Sequence, residues 1–291
     1  MTSAAGSTML PRSFLYVPAT RTDLFAKAAA GATDAVVLDL EDAVPVRLKD
    51  EARRSVRSWL DEDGGAGSHA ARTWVRVNAD TLGDDLATAV QPSLSGIFLA
   101  KCSSSSLAEA SRLLDDLERS TGMVPGTVQV VGLVENASAL LELAAVASLP
   151  RLTTLGIGEV DLLADLRMTR STGSAAALDA LRSQVVVHCA AAGRQAPVAP
   201  TSTDFHDLDS FARTSRHLFD LGFRSRTAIH PGQVPVINDV FAPTAAEVSA
   251  AADVVARFEA AAGGVTTDAR GQLIDAAVIR GARETLDRAP R

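Results

Sequence analysis

The sequence has few of the residues that mark several common protein classes. Only two of its 291 residues are cysteines, and Cys102 and Cys189 lie far apart without a paired-cysteine motif. We therefore do not expect a disulfide framework or a structural zinc site, and a reducing cytoplasm fits this composition. Aromatic residues make up 4% of the chain, which offers little surface for stacking nucleobases.

Long apolar runs and an excess of positive charge are also lacking. No segment approaches the unbroken apolar length of a membrane span, so no membrane partner is expected. With 28 basic and 35 acidic residues the formal net charge is −7, which argues against nucleic acid as a partner. Residues 1–11 are small and polar, and we expect a disordered tail there instead of a signal peptide.

Short apolar runs alternate with helical patterns along most of the chain. The runs that predict strands are 14–17, 35–40, 73–77, 96–100, 128–134, 153–158, 197–199 and 227–229. Eight strands with intervening helices imply parallel pairing with right-handed crossovers. Because no Gly-x-Gly-x-x-Gly follows the first strand, the pattern favours a closed (β/α)₈ TIM barrel over an open doubly wound sheet. We assign this barrel to residues 12–235.

A further segment follows the eighth predicted strand. Thr244 and Glu247 form a Thr-x-x-Glu capping box, which predicts a helix start, and Gly263-Gly264 predicts a break before a final helix. We therefore expect a C-terminal helical extension over 236–291. Its apolar face predicts that it packs on the barrel or on a neighbouring subunit.

Two acidic residues directly follow apolar runs. Glu135 closes the fifth predicted strand and Asp161 follows the sixth, at the end of the barrel where active sites lie. A carboxylate beside buried β structure needs a cation or hydrogen-bond donors to compensate it. Oxygen donors without histidine suit a hard cation such as Mg²⁺, so these two residues are candidate ligands of one ion. The alternative is that each residue caps the helix that follows it.

Other ionisable residues follow the remaining strands. Arg76 has the geometry to hold a substrate carboxylate with two hydrogen bonds, or it forms a structural ion pair with Asp39 or Glu41. Those two acids could equally orient metal-bound water. Lys101 could reach a phosphate or a carboxylate. His230 could act as an acid or base, or it could hold its loop by hydrogen bonding.

The chain resembles the citrate lyase β-subunit-like proteins of the HpcH/HpaI aldolase superfamily. The segments that carry the resemblance are 12–18, 37–43, 75–78, 98–101, 133–135, 158–161, 228–233 and 272–275. In this order and spacing they are specific, and they cover nearly the whole chain. The resemblance implies a TIM barrel, assembled as a homotrimer or hexamer, that cleaves or forms a carbon–carbon bond in citryl-, malyl- or citramalyl-CoA. Acyl-CoA and 2-oxoacid molecules are then its partners, and Mg²⁺ its cofactor.

The resemblance also implies roles for individual residues. Glu135 and Asp161 match the Mg²⁺ ligands, and Arg76 matches the arginine that binds the 2-oxoacid. Asp275 matches an acid/base that reaches into the site of a neighbouring subunit, with a helix N-cap as its structural alternative. The remaining expected positions are Glu41 for catalysis and Arg12, Lys101, Gly158 and Glu159 for substrate binding.

The sequence departs from the family pattern at several positions. Ala19-Thr20 replaces a Gly-Asn-type pair, Ala100 replaces a proline, and Ser225-Arg226 replaces Gly-Lys. Arg226 could still meet a phosphate. The reaction class is therefore better supported than the substrate. Three alternatives stay open: an aldolase for free 2-oxo acids, a malyl-CoA thioesterase, and a non-catalytic subunit of a larger complex.

Overall fold

The computed structural model describes residues 9–62, 71–261, 266–268 and 270–289. Most of the predicted tail, residues 1–8, lies outside this described part of the chain. The chain divides into two compact units, one extending to Asn238 and one from Asp239 to Arg291.

The first unit is a closed barrel of eight parallel strands, and the predicted fold is confirmed. Each strand pairs with the next along the chain, and the eighth pairs with the first. The strands are β1 (Ser13–Pro18), β2 (Ala35–Asp39), β3 (Arg72–Val77), β4 (Leu94–Leu99), β5 (Gln129–Val134), β6 (Thr154–Ile157), β7 (Val198–Ala199) and β8 (Ser225–Ala228). All eight predicted strands are therefore present, with ends shifted by one or two residues.

Helices follow the strands as the alternating pattern predicts. They are α1 (Phe25–Ala29), α2 (Lys49–Asp61), α3 (Leu82–Ala89), α4 (Ser104–Ser120), α5 (Ala137–Leu141), α6 (Leu143–Ser148), α7 (Glu159–Asp165), α8 (Ala175–Ala191), α9 (Leu208–Leu221) and α10 (Gln233–Phe241). The serine run sets the start of α4, where Ser103 and Ser106 form a reciprocal capping box. In the described part of the chain, no helix combines the length and the apolarity that crossing a bilayer requires.

Apolar side chains fill the interior of the barrel. The buried cluster consists of Phe14, Ala35, Val37, Trp74, Phe98, Val131, Leu133 and Val198. The rings of Phe14, Trp74 and Phe98 meet edge to face at centroid distances of 5.1 to 5.7 Å. Because strand side chains alternate between two faces, the residues two positions further along these strands share this inner face. They are Asp39, Arg76 and Glu135, so the apolar layers end in a polar layer at the C-terminal end of the barrel.

The second unit contains a helix, a short antiparallel strand pair and a final helix. These elements are α11 (Ala245–Ala260), β9 (Thr266–Thr267), β10 (Leu273–Ile274) and α12 (Ala276–Asp287). The predicted capping box at the start of α11 is present, because Thr244 and Glu247 each accept the backbone N–H of the other. The predicted break at residues 263–264 lies outside the described residues. The predicted boundary after residue 235 falls within α10, and packing on the barrel or on a neighbouring subunit stays a prediction.

Candidate active site

Arg76 and Asp39 form the base of the candidate site. They are neighbours in the register of β3 and β2, and both lie on the inner face of the barrel. Arg76 Nε and Nη2 donate to the two carboxylate oxygens of Asp39 at 2.7 and 2.6 Å. Arg76 Nη1 lies 3.0 Å from Glu41 Oε2. The ion-pair alternative for Arg76 is therefore present with both acids, while the side chain also lines the cavity described below.

Tyr16 lies beside this ion pair. The guanidinium carbon of Arg76 is 5.0 Å from the centroid of the Tyr16 ring, a cation–π distance. Burial would lower the pKa of Arg76, but the Asp39 hydrogen bonds and the surrounding negative charges hold it above its ordinary value. Arg76 is consequently a permanent cation in the site. Sequence reasoning missed Tyr16, although its position two residues beyond buried Phe14 on β1 was a usable signal.

Glu41 lies between two cations in the loop after β2. Its Oε1 accepts from Lys101 Nζ at 2.6 Å, and its Oε2 accepts from the backbone N–H of Asp42 at 2.9 Å. Burial alone would raise the pKa of Glu41, but Arg76 and Lys101 hold it below its ordinary value. Such a carboxylate stays ionised, which suits orientation of neighbouring groups better than proton transfer. A catalytic role for Glu41 stays a prediction.

Lys49 holds this loop in place, a role that the sequence did not indicate. Its Nζ donates to the backbone carbonyls of Leu40 and Glu41 and to Asn78 Oδ1. Asn78 Nδ2 in turn donates to the Leu40 carbonyl and to Asp85 Oδ2. These bonds fix the backbone from which the Glu41 side chain projects.

Glu135 is a buried carboxylate at the end of β5. Its side chain is held by one strong contact, since Oε2 accepts the Lys101 backbone N–H at 2.6 Å. Lys101 itself adopts a left-handed backbone with φ 49°. Burial raises the pKa of Glu135 to about 7, and the negative charges of Glu41 and Asp161 act in the same direction. A cation beside Glu135 would stabilise its ionised form and so lower this pKa.

Asp161 lies in the first turn of α7 and lines the same cavity as Glu135. The cavity measures about 200 Å³ and opens among the C-terminal ends of the strands, where Arg76, Asp42 and Gly158 also line it. The capping alternative for the two acids is wrong. The N-cap of α5 is Asn136, whose Oδ1 accepts from Ala139 N at 2.8 Å, and the N-cap of α7 is Gly158.

The residues present fit a divalent cation that keeps several water or substrate ligands. Among the described residues, no group of three or more His, Cys, Asp or Glu side chains is arranged to hold a metal. Glu135 and Asp161 would thus supply two oxygen donors. Mg²⁺ is commonly bound in this way, by one or two carboxylates, with waters and substrate completing the octahedron. The buried carboxylate of Glu135, which forms no ion pair with a cationic side chain of the described residues, is the observation that favours such an ion.

Arg12 is not brought into the site, which corrects the expectation that it binds substrate. It precedes β1, at the end of the barrel opposite the C-terminal strand ends. Its Nε and Nη2 donate to Asp34 Oδ2 and Oδ1, each at 2.8 Å. This bidentate pair joins the start of β1 to the start of β2, so Arg12 stabilises the barrel.

Glu159 borders the cavity, but its carboxylate is occupied. Arg182 Nε and Nη2 donate to its two oxygens at 2.7 and 2.9 Å, and Arg170 Nη2 also donates to it. The expectation that this side chain binds substrate is therefore not supported. Gly158, in contrast, lies directly against Glu135, which explains a glycine at this position.

Two further candidates have structural partners. Asp275 caps α12 by accepting the N–H groups of Ala277 and Val278, so its predicted structural alternative is present. It lies in the second unit, and its acid/base role stays a prediction. His230 Nδ1 accepts the Gly232 N–H at 3.1 Å, and its ring stacks on Phe205, as expected for a histidine that holds a loop.

Comparison with known proteins identifies the family. The model of the HpcH/HpaI aldolase/citrate lyase family matches residues 12–231. The citrate lyase subunit beta of Leuconostoc mesenteroides subsp. cremoris is 27% identical over 284 residues, covering 95% of this chain and 92% of that protein. A (3S)-malyl-CoA thioesterase of Cereibacter sphaeroides is 32% identical over 288 residues, covering 96% and 94%.

A solved structure matches most of the chain. CitE of Mycobacterium tuberculosis, in complex with magnesium, acetoacetate and coenzyme A, has a TM-score of 0.70 and 27% identity, covering 96% of this chain and 97% of that one. The chain belongs to the HpcH/HpaI aldolase/citrate lyase family, and the resemblance inferred from the sequence is confirmed. Its relatives support an enzyme of the CoA-ester lyase type.

Proposed function

We propose that this protein is a Mg²⁺-dependent carbon–carbon lyase that cleaves a 3-hydroxyacyl-CoA thioester into acetyl-CoA and a 2-oxoacid. The observation that carries the proposal is that Glu135, Asp161 and Arg76 line one cavity at the C-terminal end of the barrel. Two carboxylates and a permanent cation are the groups required to hold a hard ion next to an acidic substrate. The magnesium complex of CitE from Mycobacterium tuberculosis supports the choice of metal.

In this proposal the residues of the cavity bind and orient the reacting groups. Glu135 and Asp161 hold the ion, which when bound supplies positive charge for the oxygens of the 2-oxoacid. Arg76 remains anchored to Asp39 and directs its free N–H groups toward the substrate carboxylate or the oxygen that changes charge. Lys101 fixes both Glu135 and Glu41, which keeps the carboxylates in position.

As the carbon–carbon bond breaks, the 3-hydroxyl releases its proton to water and becomes the carbonyl of the 2-oxoacid, and the bonding electron pair forms the acetyl-CoA enolate, which must accept a proton. We assign this proton transfer to Asp275 of a neighbouring subunit in a homotrimer or hexamer, following the family resemblance. The hydrogen bonds from the Val278 and Ala277 N–H groups lower the pKa of Asp275 in the described chain. A role as the acid therefore requires that assembly or substrate displaces these bonds. The two cysteines are free and buried, which supports a cytoplasmic location.

A thioesterase reaction is the second candidate, because relatives named (3S)-malyl-CoA thioesterase cover nearly the full chain. Hydrolysis of malyl-CoA gives free coenzyme A and malate, whereas cleavage gives acetyl-CoA and glyoxylate. Both reactions place the same acidic substrate in the same cavity. The products therefore separate the two candidates.

The decisive experiment incubates the protein with citryl-, malyl- and citramalyl-CoA, with Mg²⁺ or with excess EDTA, and identifies the products by mass spectrometry. We expect Mg²⁺-dependent release of acetyl-CoA from at least one thioester. Free thiol with malate would instead indicate the thioesterase. No reaction with any thioester would contradict both proposals and favour a free 2-oxoacid aldolase or a non-catalytic subunit. Titration with coenzyme A separates the lyase from the free 2-oxoacid aldolase, since only the lyase is expected to bind it.

Variants make this assay specific to the site. Glu135→Gln keeps the shape of the side chain and removes one proposed ion ligand, so activity should be lost. Glu109→Gln removes the same charge from the exposed face of α4 and should behave like wild type.

A further inference from the structure

A second cavity lies on the outer side of β7 and β8, between the barrel and the helices α8 and α9. It measures about 250 Å³ and shares Glu159, Val160 and Thr201 with the lining of the candidate active site. Three arginines, Arg170, Arg182 and Arg226, line it. We call it the Arg226 cavity.

Arg226 is buried at the inner wall of this cavity, with 3% of its surface exposed. Its Nε donates to the Pro200 carbonyl at 3.0 Å, and its Nη1 donates to Phe211 O, Thr214 Oγ1 and Ser215 Oγ. All of these partners are neutral. Nη2 has no hydrogen-bond partner within the described residues, the guanidinium carbon lies 3.9 Å from the centroid of the Phe211 ring, and Arg226 is among the residues that line the cavity.

Arg226 has no carboxylate in direct contact. Among the described residues, Glu159 is paired with Arg182 and Arg170, Arg182 is also paired with Asp179, and none of the ion pairs includes Arg226. Burial lowers the pKa of Arg226 to about 9, which still leaves the side chain charged at pH 7. Arg226 is thus a buried cation without an ion-pair partner, in a place where charge is costly.

Two other carboxylates line the cavity without reaching Arg226. Asp204 Oδ1 accepts the N–H groups of His206 and Asp207, and Asp207 Oδ1 accepts the N–H of Ser210 at the start of α9. Both carboxylates therefore accept hydrogen bonds from backbone N–H groups at and before the start of α9. The Thr201 hydroxyl, on the wall shared with the candidate active site, is enclosed and lacks a hydrogen-bond partner among the described residues.

We propose that the Arg226 cavity binds an oxyanion, a phosphate or carboxylate group, which pairs with Arg226 Nη2 and with the guanidinium of Arg170. The bound group gives Arg226 the anionic partner that it lacks among the described residues, through charge-assisted hydrogen bonds. This site is distinct from the candidate magnesium site, where the protein presents carboxylates. Glu159 and Thr201 line both cavities, so an oxyanion bound in the Arg226 cavity also holds in place the residues that this cavity shares with the candidate active site.

Titration calorimetry with inorganic phosphate, in EDTA and at constant ionic strength, tests this proposal. We expect binding of about one phosphate per chain, and an affinity at least about tenfold lower in Arg226→Met, the scale of one charged hydrogen bond. Arg213→Met removes the same charge from an exposed position of α9 and should bind phosphate like wild type. Glu135→Gln should also bind like wild type, because it alters only the candidate metal site.

Arg170→Met provides a second variant that does not depend on the buried core, since the Arg170 side chain is 54% exposed. It should also weaken phosphate binding. Titration with malonate in place of phosphate shows whether the site prefers carboxylates. Binding of either anion to the wild type, with a loss of affinity in both arginine variants, supports the proposal. Absence of binding for both anions, or equal affinity in wild type, Arg226→Met and Arg170→Met, overturns it.

Discussion

Gly158 lies so close to Glu135 that a Cβ atom at position 158 would stand 2.4 Å from both Cγ and Oε1 of the glutamate. Real Cβ atoms do not approach other atoms this closely, so the observed position of the Glu135 carboxylate requires a glycine at position 158. The contact joins the end of β5 to the start of α7, the element that carries Asp161. The relative positions of Glu135 and Asp161 therefore depend on the absence of a side chain at position 158.

The first prediction concerns this contact. In Gly158→Ala the Glu135 side chain must move away from the cavity, and we expect kcat/KM to fall at least about a hundredfold, as for misplacement of a group in the reacting site. Mg²⁺ should also lose its stabilising effect in thermal unfolding. Gly83→Ala is the matched control, because nothing lies within 4 Å of its Cβ position in α3. Unchanged activity in Gly158→Ala would contradict the proposed role of Glu135.

The second prediction concerns Arg76. Arg76→Ala removes the proposed partner of the substrate carboxylate, and we expect kcat/KM to fall at least about a hundredfold, the scale of one charge-stabilising donor. The same change leaves Asp39 and Glu41 without their shared cation, so the protein should also be less stable. The double variant Arg76→Met/Asp39→Asn removes the charge on both sides of the pair and should recover stability without recovering activity. Recovery of both would show that Arg76 acts only through the fold.

The third prediction separates Arg12 from the site. Arg12→Gln breaks the pair with Asp34, and we expect a loss of about 1–3 kcal/mol in the free energy of unfolding, with kcat/KM unchanged. Burial would raise the pKa of Asp34, but Arg12 holds it below its ordinary value. The pair therefore stabilises the folded chain above the ordinary carboxyl pKa of about 4, and this contribution is lost as the pH falls through the lower folded value.

Chemical denaturation of wild type and Arg12→Gln across this pH range measures the effect. The difference in stability should be constant between neutral pH and about pH 5 and should shrink at lower pH. Arg21→Gln, which breaks an exposed ion pair with Asp23, should change stability little or not at all. A loss of activity in Arg12→Gln at unchanged stability would restore Arg12 as a substrate ligand.

The fourth prediction distinguishes the two roles of Asp275. Asn and Asp are nearly equivalent N-caps, so Asp275→Asn should keep α12 intact, whereas Asp275→Ala should lower the stability of the protein. If Asp275 transfers the proton, both variants lose turnover, and Asp275→Asn loses it at wild-type stability. Full turnover in Asp275→Asn would leave the residue with a capping role only. Measuring kcat together with unfolding for both variants provides the answer.

The fold was accessible from the sequence because its signals are local. Apolar runs that alternate with helical patterns predicted successive parallel strands, which placed Asp39, Arg76 and Glu135 at one end of the barrel. The direction of the strands also indicates that Arg12 lies at the opposite end of the barrel, because it precedes β1. The family resemblance of segment 12–18 led instead to the expectation that Arg12 binds substrate.

The side-chain partners were less accessible because they come from distant parts of the chain. Glu159 and Arg182 are 23 residues apart, and Arg76 and Asp39 are 37 residues apart. No local pattern indicates that the first pair removes Glu159 from the candidate ligands, or that Lys49 supports the Glu41 loop. These contacts depend on helix packing and register, which single-sequence patterns do not encode.

Calorimetric titration of Mg²⁺ into wild type, Glu135→Gln, Asp161→Asn and the double variant tests the shared ion site most directly. We expect one ion per chain in the wild type and at least about a tenfold loss of affinity in each single variant. The double variant should bind no measurable ion, since both carboxylates serve one site. Wild-type affinity in both single variants, or a stoichiometry unaffected in the double variant, would contradict a shared site.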